Sequence, residues 1–206
     1  MKKRIWNIYT IVAISLLIRV LYLNHHDFWF DEAFSWFVAS KNFKSIIIAS
    51  VADNHPPLYY LILHLWMDVF GNSEVALRSL SLVFGLLSVP VFYKLAKTFN
   101  EKLSLFATLL FSISPLAVYY SAETRMYSLF LLLTLCSVYV WIKLLTKINK
   151  FRALAFIITL TASIYTHYLS FLLFIPFFYT AFRNFSYKFT NIYFAFFDRF
   201  SKKLQK

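Results

Sequence analysis

Charged residues and cysteine are scarce in this 206-residue chain. It has nine acidic residues, one cysteine and two glycines, and only 15% of its residues are charged, whereas soluble domains have about 25%. Cys136 lies inside an apolar run and is the only cysteine, so the sequence predicts neither a disulfide nor a cysteine metal cluster. The scarcity of charge argues against a soluble globular domain.

Apolar residues are abundant, and basic residues outnumber acidic ones. Hydrophobic residues are 60% of the chain and aromatic residues 21%, well above the roughly 45–50% apolar content of soluble domains. The formal net charge is +12, but the basic residues stand between apolar runs of helix length. That spacing is typical of topology signals in a membrane protein and not of a nucleic-acid-binding surface.

The apolar runs have the length of membrane crossings, because about 20 helical residues span about 30 Å of hydrocarbon. They cover residues 5–23, 76–95, 103–120, 126–145 and 153–182. The last run is too long for one crossing, and His167-Tyr168 at its centre predicts a turn. The sequence therefore predicts an all-α integral membrane protein with about six transmembrane helices, five being the alternative.

Basic residues set the orientation. They concentrate at the N-terminus, at 94–102, at 143–152, at 183–188 and after 189. By the positive-inside rule these segments are cytoplasmic, which makes residues 1–188 a membrane domain with its N-terminus inside and 189–206 a basic cytoplasmic tail. Most of the acidic residues then fall on the outer face of the cell membrane.

The first outer loop, from the end of the first helix to about Val75, is long enough to suggest function. It opens with "FWFDEAFSW", which carries Asp31 and Glu32. Two stretches in it have helical spacing and predict interfacial helices. The apolar face of the second is formed by Leu58, Ile62, Leu65, Trp66 and Val69, and its other face by Tyr60, His64 and Asp68. Between the stretches, "DNHPP" must break the helix and present Asp53 and His55 at the membrane surface.

Arginines lie at the outer ends of the predicted spans. Arg125 and Glu123 occupy the short second outer loop, "SAETRMYSL", and Arg19 and Arg78 lie near the ends of the first and second spans. Guanidinium groups suit bidentate contact with phosphate. In the simpler interpretation Arg19 and Arg78 snorkel to lipid headgroups, and Glu123 pairs structurally with Arg125.

Five spaced motifs carry a resemblance: "FDEAFSW", "DNHPPLYYLILHLW", "SEVALRSLSLVFGLLSV", "SPLAVYYSAETRMYSL" and "THYLSFLL". The chain resembles the N-terminal half of the polytopic glycosyltransferases related to protein O-mannosyltransferases and lipid A aminoarabinose transferases. The resemblance implies a C-type glycosyltransferase fold, a polyprenyl-phosphate-linked sugar as donor, and an active site on the outer face. It also implies that the acid pair, here Asp31 and Glu32, is catalytic.

Such a transfer needs a base for the acceptor hydroxyl and positive charge for the leaving phosphate. We expect Asp31 to be the base, with Glu32 beside it, in a single displacement that inverts the anomeric centre. The residues expected to bind substrate are Asp53, His55, Arg78, Glu123, Arg125, Tyr127 and His167. No cofactor is required, although a divalent cation held by acids is an alternative to the arginines.

The expected partners are the lipid-linked sugar, a lipid, glycan or protein acceptor, and membrane lipids, with no nucleic acid. Because 206 residues are short for the resembled family, a second polypeptide that completes the fold is also expected. The alternatives are a truncated, inactive or accessory fragment, and a carrier or flippase, which the uncharged centres of the spans disfavour. Asp31 and Glu32 also have a purely structural alternative, as caps of a helix.

The predicted topology can be tested by thiol labelling in a Cys136→Ser background. We expect single cysteines at Asn42 and Ser121 to react with an impermeant reagent in intact cells, and those at Asn100 and Asn149 to remain unlabelled, because basic residues mark the cytoplasmic side. Labelling at Asn149 would overturn the orientation.

Overall fold

A computed structural model describes residues 7–24 and 27–184, and these residues fold into a set of helices. The α-helices are α1 (Ile8–Tyr22), α2 (Phe30–Ala39), α3 (Phe43–Ala52), α4 (Leu58–Phe70), α5 (Glu74–Phe99), α6 (Ser104–Ser112), α7 (Pro115–Ser121), α8 (Tyr127–Thr146) and α9 (Lys150–Ile164), followed by a 3₁₀ helix at Tyr168–Leu173. Residues 174–184 are helical as well. The predicted basic tail, 189–206, lies outside the described residues.

Two helices, α5 and α8, are long and apolar enough to cross a membrane, and α6 and α7 form a third crossing if they are one bent span. The run at 103–120 was predicted as a single helix, but it bends by 53° between Ser112 and Pro115. Proline restricts the residue before it and favours the first turn of a helix, so Pro115 ends one helix and begins the next. The protein is a helical membrane protein, and the six-span count stays a prediction.

The predicted turn in the run at 153–182 is confirmed. Helix α9 ends at Ile164, and His167 has an extended backbone and caps the 3₁₀ helix by accepting a hydrogen bond from the Leu169 amide. The carbonyl of Tyr165 accepts a hydrogen bond of 3.0 Å from the amide of Leu58 at the start of α4. This bond joins the turn to the first outer loop.

The first outer loop contains three short helices, α2, α3 and α4. The predicted break at residues 53–57 is confirmed, and Asn54 adopts a positive φ of 55° there. In α4, Leu65 and Val69 of the predicted apolar face are exposed, as residues of a lipid-facing side would be. The placement of Tyr60 on the polar face is wrong, because Tyr60 packs inward with Tyr59, Leu63 and Met67. In a helix at a membrane, apolar residues gain as much from lipid as from protein, so hydrophobic spacing does not identify the packed face.

Arg19 does not snorkel to the headgroups, as the simpler interpretation predicted, since only 1% of it is exposed. Its Nε donates to Ser121 Oγ of α7 at 3.1 Å, and its Nη1 donates to the Ser112 carbonyl of α6 at 2.9 Å. The same nitrogen contacts Ser15 within α1. Arg19 therefore bridges both halves of the bent span and satisfies a carbonyl in the last turn of α6.

The buried position of Ser121 changes the labelling experiment, because a cysteine there would be inaccessible on either side of the membrane. Asn72 is exposed between α4 and α5. A cysteine at Asn72 is thus the suitable partner for the one at Asn42 on the outer face.

Gly85 allows α5 to approach α7 closely. A Cβ atom at this position would lie 2.1 Å from Ser121 Oγ, 2.9 Å from Ser121 Cβ and 3.3 Å from Arg19 Nε. The contact with Ser121 is too short for any side chain. The lack of a side chain at Gly85 is therefore what lets the Arg19 contacts form.

We expect Gly85→Ala to destabilise the folded protein by about 1–3 kcal/mol, the usual cost of overpacking. Thermal unfolding of the purified protein in detergent would measure it. Ser121→Gly in the same chain removes both short contacts and should recover part of the loss, whereas Leu87→Met on the exposed side of α5 should change little. A Gly85→Ala protein as stable as the wild type would contradict this packing.

Candidate active site

A buried ion pair lies at the base of the candidate site. The side chain of Arg78 on α5 donates from Nε to Glu32 Oε1 at 2.9 Å and from Nη2 to Glu32 Oε2 at 2.7 Å. Glu32 is 0% and Arg78 1% exposed. This fork-to-fork geometry is the strongest form of a carboxylate–guanidinium contact.

The pair also holds two connecting segments. Glu32 Oε1 accepts a further hydrogen bond from the backbone amide of Thr124 at 2.9 Å, and Arg78 Nη1 donates to the carbonyl of Leu23 at 3.1 Å. One carboxylate thus fixes α2 against α5 and against the turn that follows α7. Sequence reasoning placed Arg78 at the surface, but the structure buries it.

Asp31 occupies a different environment from its neighbour Glu32. Its side chain is 37% exposed, and its Oδ2 lies 3.7 Å from Nη2 of Arg125, which is longer than a hydrogen bond. The N-cap of α2 is Trp29, and no side chain makes a capping hydrogen bond there. Neither carboxylate is therefore the cap, although both lie in the first turn, where the helix dipole favours negative charge.

Arg125 belongs to a tight turn between α7 and α8. Its amide donates to the carbonyl of Glu123 at 2.8 Å, and its own carbonyl accepts from Ser81 Oγ of α5 at 3.2 Å. Glu123 is buried and hydrogen-bonds the side chain of Tyr119. Only 5% of Arg125 is exposed. Its guanidinium lies against α2, where Nη1 donates to the Asp31 carbonyl at 3.4 Å.

Asp53 and His55, in the break before α4, lie near the same group of residues. His55 Nδ1 contacts Asp53 Oδ2 at 2.9 Å, and both side chains are partly exposed. His167, from the turn after α9, packs its ring 5.9 Å from that of Tyr127. Burial lowers the pKa of His167, and the nearby charges of His55 and Arg125 lower it further, so its imidazole is neutral at pH 7.

The structure therefore brings together most of the predicted site residues. Contacts or electrostatic interactions link five of them: Asp31, Arg125, Tyr127, His55 and His167. Asp53 joins this group through His55, and the buried pair of Glu32 and Arg78 lies next to Asp31. Sequence reasoning missed Tyr60, which was placed on the polar face of α4. It is fully buried, and its hydroxyl has no hydrogen-bond partner among the described residues.

No three histidine, cysteine or acidic side chains in residues 7–24 and 27–184 come together as metal ligands. The pair formed by Asp53 and His55 supplies two ligand types, but no third joins it in this part of the chain. A divalent cation thus stays a prediction without a protein site, and no chemical step is assigned to it.

Comparison with known proteins relates the chain to a protein family. The sequence profile described as "dolichyl-phosphate-mannose-protein mannosyltransferase" matches residues 54–195, well over half of the chain. The match begins after Asp31 and Glu32, so their assignment depends on the geometry above. No curated protein and no solved structure matches the chain.

The two adjacent carboxylates should differ in their effect on stability. We expect Glu32→Gln to cost about 3–5 kcal/mol, because it leaves Arg78 as a buried charge without its counterion. Asp31→Asn removes only a long, partly exposed contact and should cost less than about 1 kcal/mol. Thermal unfolding in detergent and the yield of inserted protein would measure both, and equal losses would contradict the assignment of the ion pair.

Proposed function

The chain belongs to the dolichyl-phosphate-mannose-protein mannosyltransferase family, and from that membership we propose that it moves a sugar from a polyprenyl-phosphate carrier to an acceptor hydroxyl at the outer face of the cell membrane. Family membership makes the chain a membrane glycosyltransferase. The polyprenyl-phosphate donor, the inverting course and the outward orientation are parts of the proposal.

The observation that carries the proposal is the contrast between Asp31 and Glu32. Glu32 has both oxygens on Arg78 and is fully buried, so we assign it a positioning role. Asp31 is partly exposed, is held at the start of a helix and is only loosely contacted by Arg125. It is the carboxylate of this pair that can accept a proton from a substrate.

The proposed reaction is a single displacement. Asp31 takes the proton of the acceptor hydroxyl, whose oxygen forms a new bond to the anomeric carbon of the sugar. The bond between that carbon and the phosphate oxygen breaks, and the polyprenyl phosphate leaves with the bonding electrons. Attack opposite the leaving group inverts the anomeric centre, and no covalent intermediate on the protein is needed.

Arg125 is proposed to bind the leaving phosphate. Its buried guanidinium would meet the developing negative charge in a region with little water, where such contacts are strongest. In the free protein Arg125 lies against Asp31, so the donor would part the two groups and place the sugar between base and phosphate. The pair formed by Glu32 and Arg78 would fix the positions of Asp31 and Arg125 relative to each other, because Glu32 joins α2 to the turn that carries Arg125.

The remaining site residues would contact the sugar or the acceptor. His55 with Asp53 would reach the substrate from the first outer loop, and His167 with Tyr127 from the turn after α9 and the start of α8. Partly exposed imidazole and carboxylate groups suit sugar hydroxyls, and because Nδ1 of the neutral His167 ring accepts from the Leu169 amide, its Nε2–H is the group that can donate to a substrate oxygen. A lipid, glycan or protein would serve as acceptor, and a second polypeptide completing the site is part of the proposal.

Asp31→Asn tests the proposed base. We expect transfer from the polyprenyl-phosphate sugar to fall by about 10²–10⁴-fold, the usual contribution of general base catalysis, while donor binding changes little because the amide keeps the size of the side chain. Transfer and donor binding would be measured on the same preparation, in membranes that contain the full chain and any partner polypeptide.

Asp68→Asn is the matched control, since it makes the same chemical change at an exposed acid of the same loop that has no assigned role in the site. It should reduce transfer far less than Asp31→Asn. Near-normal transfer by the Asp31→Asn protein would refute the assignment of the base, and loss of donor binding by that variant would mean that Asp31 binds the donor and does not act as the base.

A further inference from the structure

Two neighbouring tyrosines at the start of α4 have opposite hydrogen-bonding states. Both Tyr59 and Tyr60 are fully buried, and their rings contact each other edge to face at 6.0 Å. The hydroxyl of Tyr59 donates to Ser81 Oγ at 3.0 Å, because Ser81 uses its own proton on the Arg125 carbonyl. The hydroxyl of Tyr60 has no partner among the described residues.

A buried hydroxyl without a partner is unusual, because burying a polar group without a hydrogen bond costs about 1–3 kcal/mol. A phenylalanine in place of Tyr60 would fill nearly the same volume without that cost. The hydroxyl therefore opposes the stability of the free protein, which is typical of a group that serves a ligand.

A second unpartnered donor lies in the same part of the site. The Nε of Arg125 is buried and makes no hydrogen bond to the described residues. Tyr60 packs against Phe34, which follows Asp31 by one turn of α2, and Arg125 contacts Asp31 itself. Arg125 is also the nearby charge with the largest effect on Tyr60, whose pKa burial raises to about 12.

We propose that the Tyr60 hydroxyl and the Arg125 Nε together bind one anionic oxygen of the donor phosphate. Both groups can donate to the same oxygen, and an anionic phosphate oxygen gives the guanidinium a charge-assisted hydrogen bond that a neutral carbonyl or sugar hydroxyl does not provide. This inference rests on the proposed function, and it adds a phosphate-binding residue from a helix that carries no basic side chain inside the site.

The ligand reaches these donors when Arg125 leaves Asp31. The two side chains are 3.7 Å apart, which is longer than a hydrogen bond, and the bond from Arg125 Nη1 to the Asp31 carbonyl is long at 3.4 Å, so only weak contacts are lost when Arg125 moves. Movement of the guanidinium toward the phosphate would bring the Nε and the Tyr60 hydroxyl to the same oxygen and leave the Asp31 carboxylate free for the acceptor. Binding of the phosphate by Arg125 would thus also free the Asp31 carboxylate to act as the base.

The test compares Tyr60→Phe with Tyr59→Phe in the full chain. Binding of farnesyl phosphate, with farnesol as the uncharged control, would be measured by calorimetry in detergent, and stability by thermal unfolding. We expect Tyr60→Phe to weaken farnesyl phosphate binding by about 10- to 100-fold, as for a hydrogen bond to a charged group, with no loss of stability. Tyr59→Phe should lower stability and change binding by less than about threefold.

These measurements distinguish failure of the proposed function from failure of the phosphate-binding role of Tyr60. Wild-type protein that does not bind farnesyl phosphate would overturn the proposed function and this inference with it. Wild-type binding that Tyr60→Phe leaves unchanged, or a Tyr60→Phe protein that is less stable than the wild type, would overturn the inference alone. Phosphatidic acid that competes with farnesyl phosphate and depends equally on Tyr60 would overturn the assignment to the donor, because the residue would then bind any lipid phosphate.

Discussion

The buried ion pair between Glu32 and Arg78 is the interaction on which the rest of the site depends. Two charges inside a protein are costly unless their geometry is close to ideal and their remaining hydrogen-bonding capacity is used. Here the fork is bidentate, and the further bonds go to the Thr124 amide and the Leu23 carbonyl. The pair therefore fixes α2, α5 and the turn after α7 relative to one another.

A second buried arginine, Arg19, joins helices at the bent span formed by α6 and α7. Arg19 ties α1 to both α6 and α7, and the missing side chain at Gly85 lets α5 approach closely enough for those contacts to form. The turn that carries Arg125 is thus held from two directions, by Glu32 on one side and through α7 on the other. Asp31 and Arg125 are only loosely in contact inside this rigid frame, which suits their proposed role on either side of a substrate.

Sequence reasoning predicted the membrane class, the break at residues 53–57, the turn at His167 and most of the residues that the site brings together, because proline, charge and spacing act locally. It failed for residues whose burial depends on partners distant in the sequence. Arg19 and Arg78 looked like headgroup anchors, since the carboxylate of Glu32 and the hydroxyl of Ser121 come from distant parts of the chain. Tyr60 was placed on the polar face of α4, because lipid and protein neighbours leave the same apolar pattern.

The contacts of Glu32 also have a consequence for biogenesis. Its guanidinium partner follows it by 46 residues and its amide partner by 92. While the chain is being synthesised, the carboxylate is made long before either partner reaches the membrane, and it has to remain hydrated in the interfacial region until α5 arrives. The hydrogen bonds of Glu32 are consequently completed late, when the turn after α7 brings the Thr124 amide to the carboxylate.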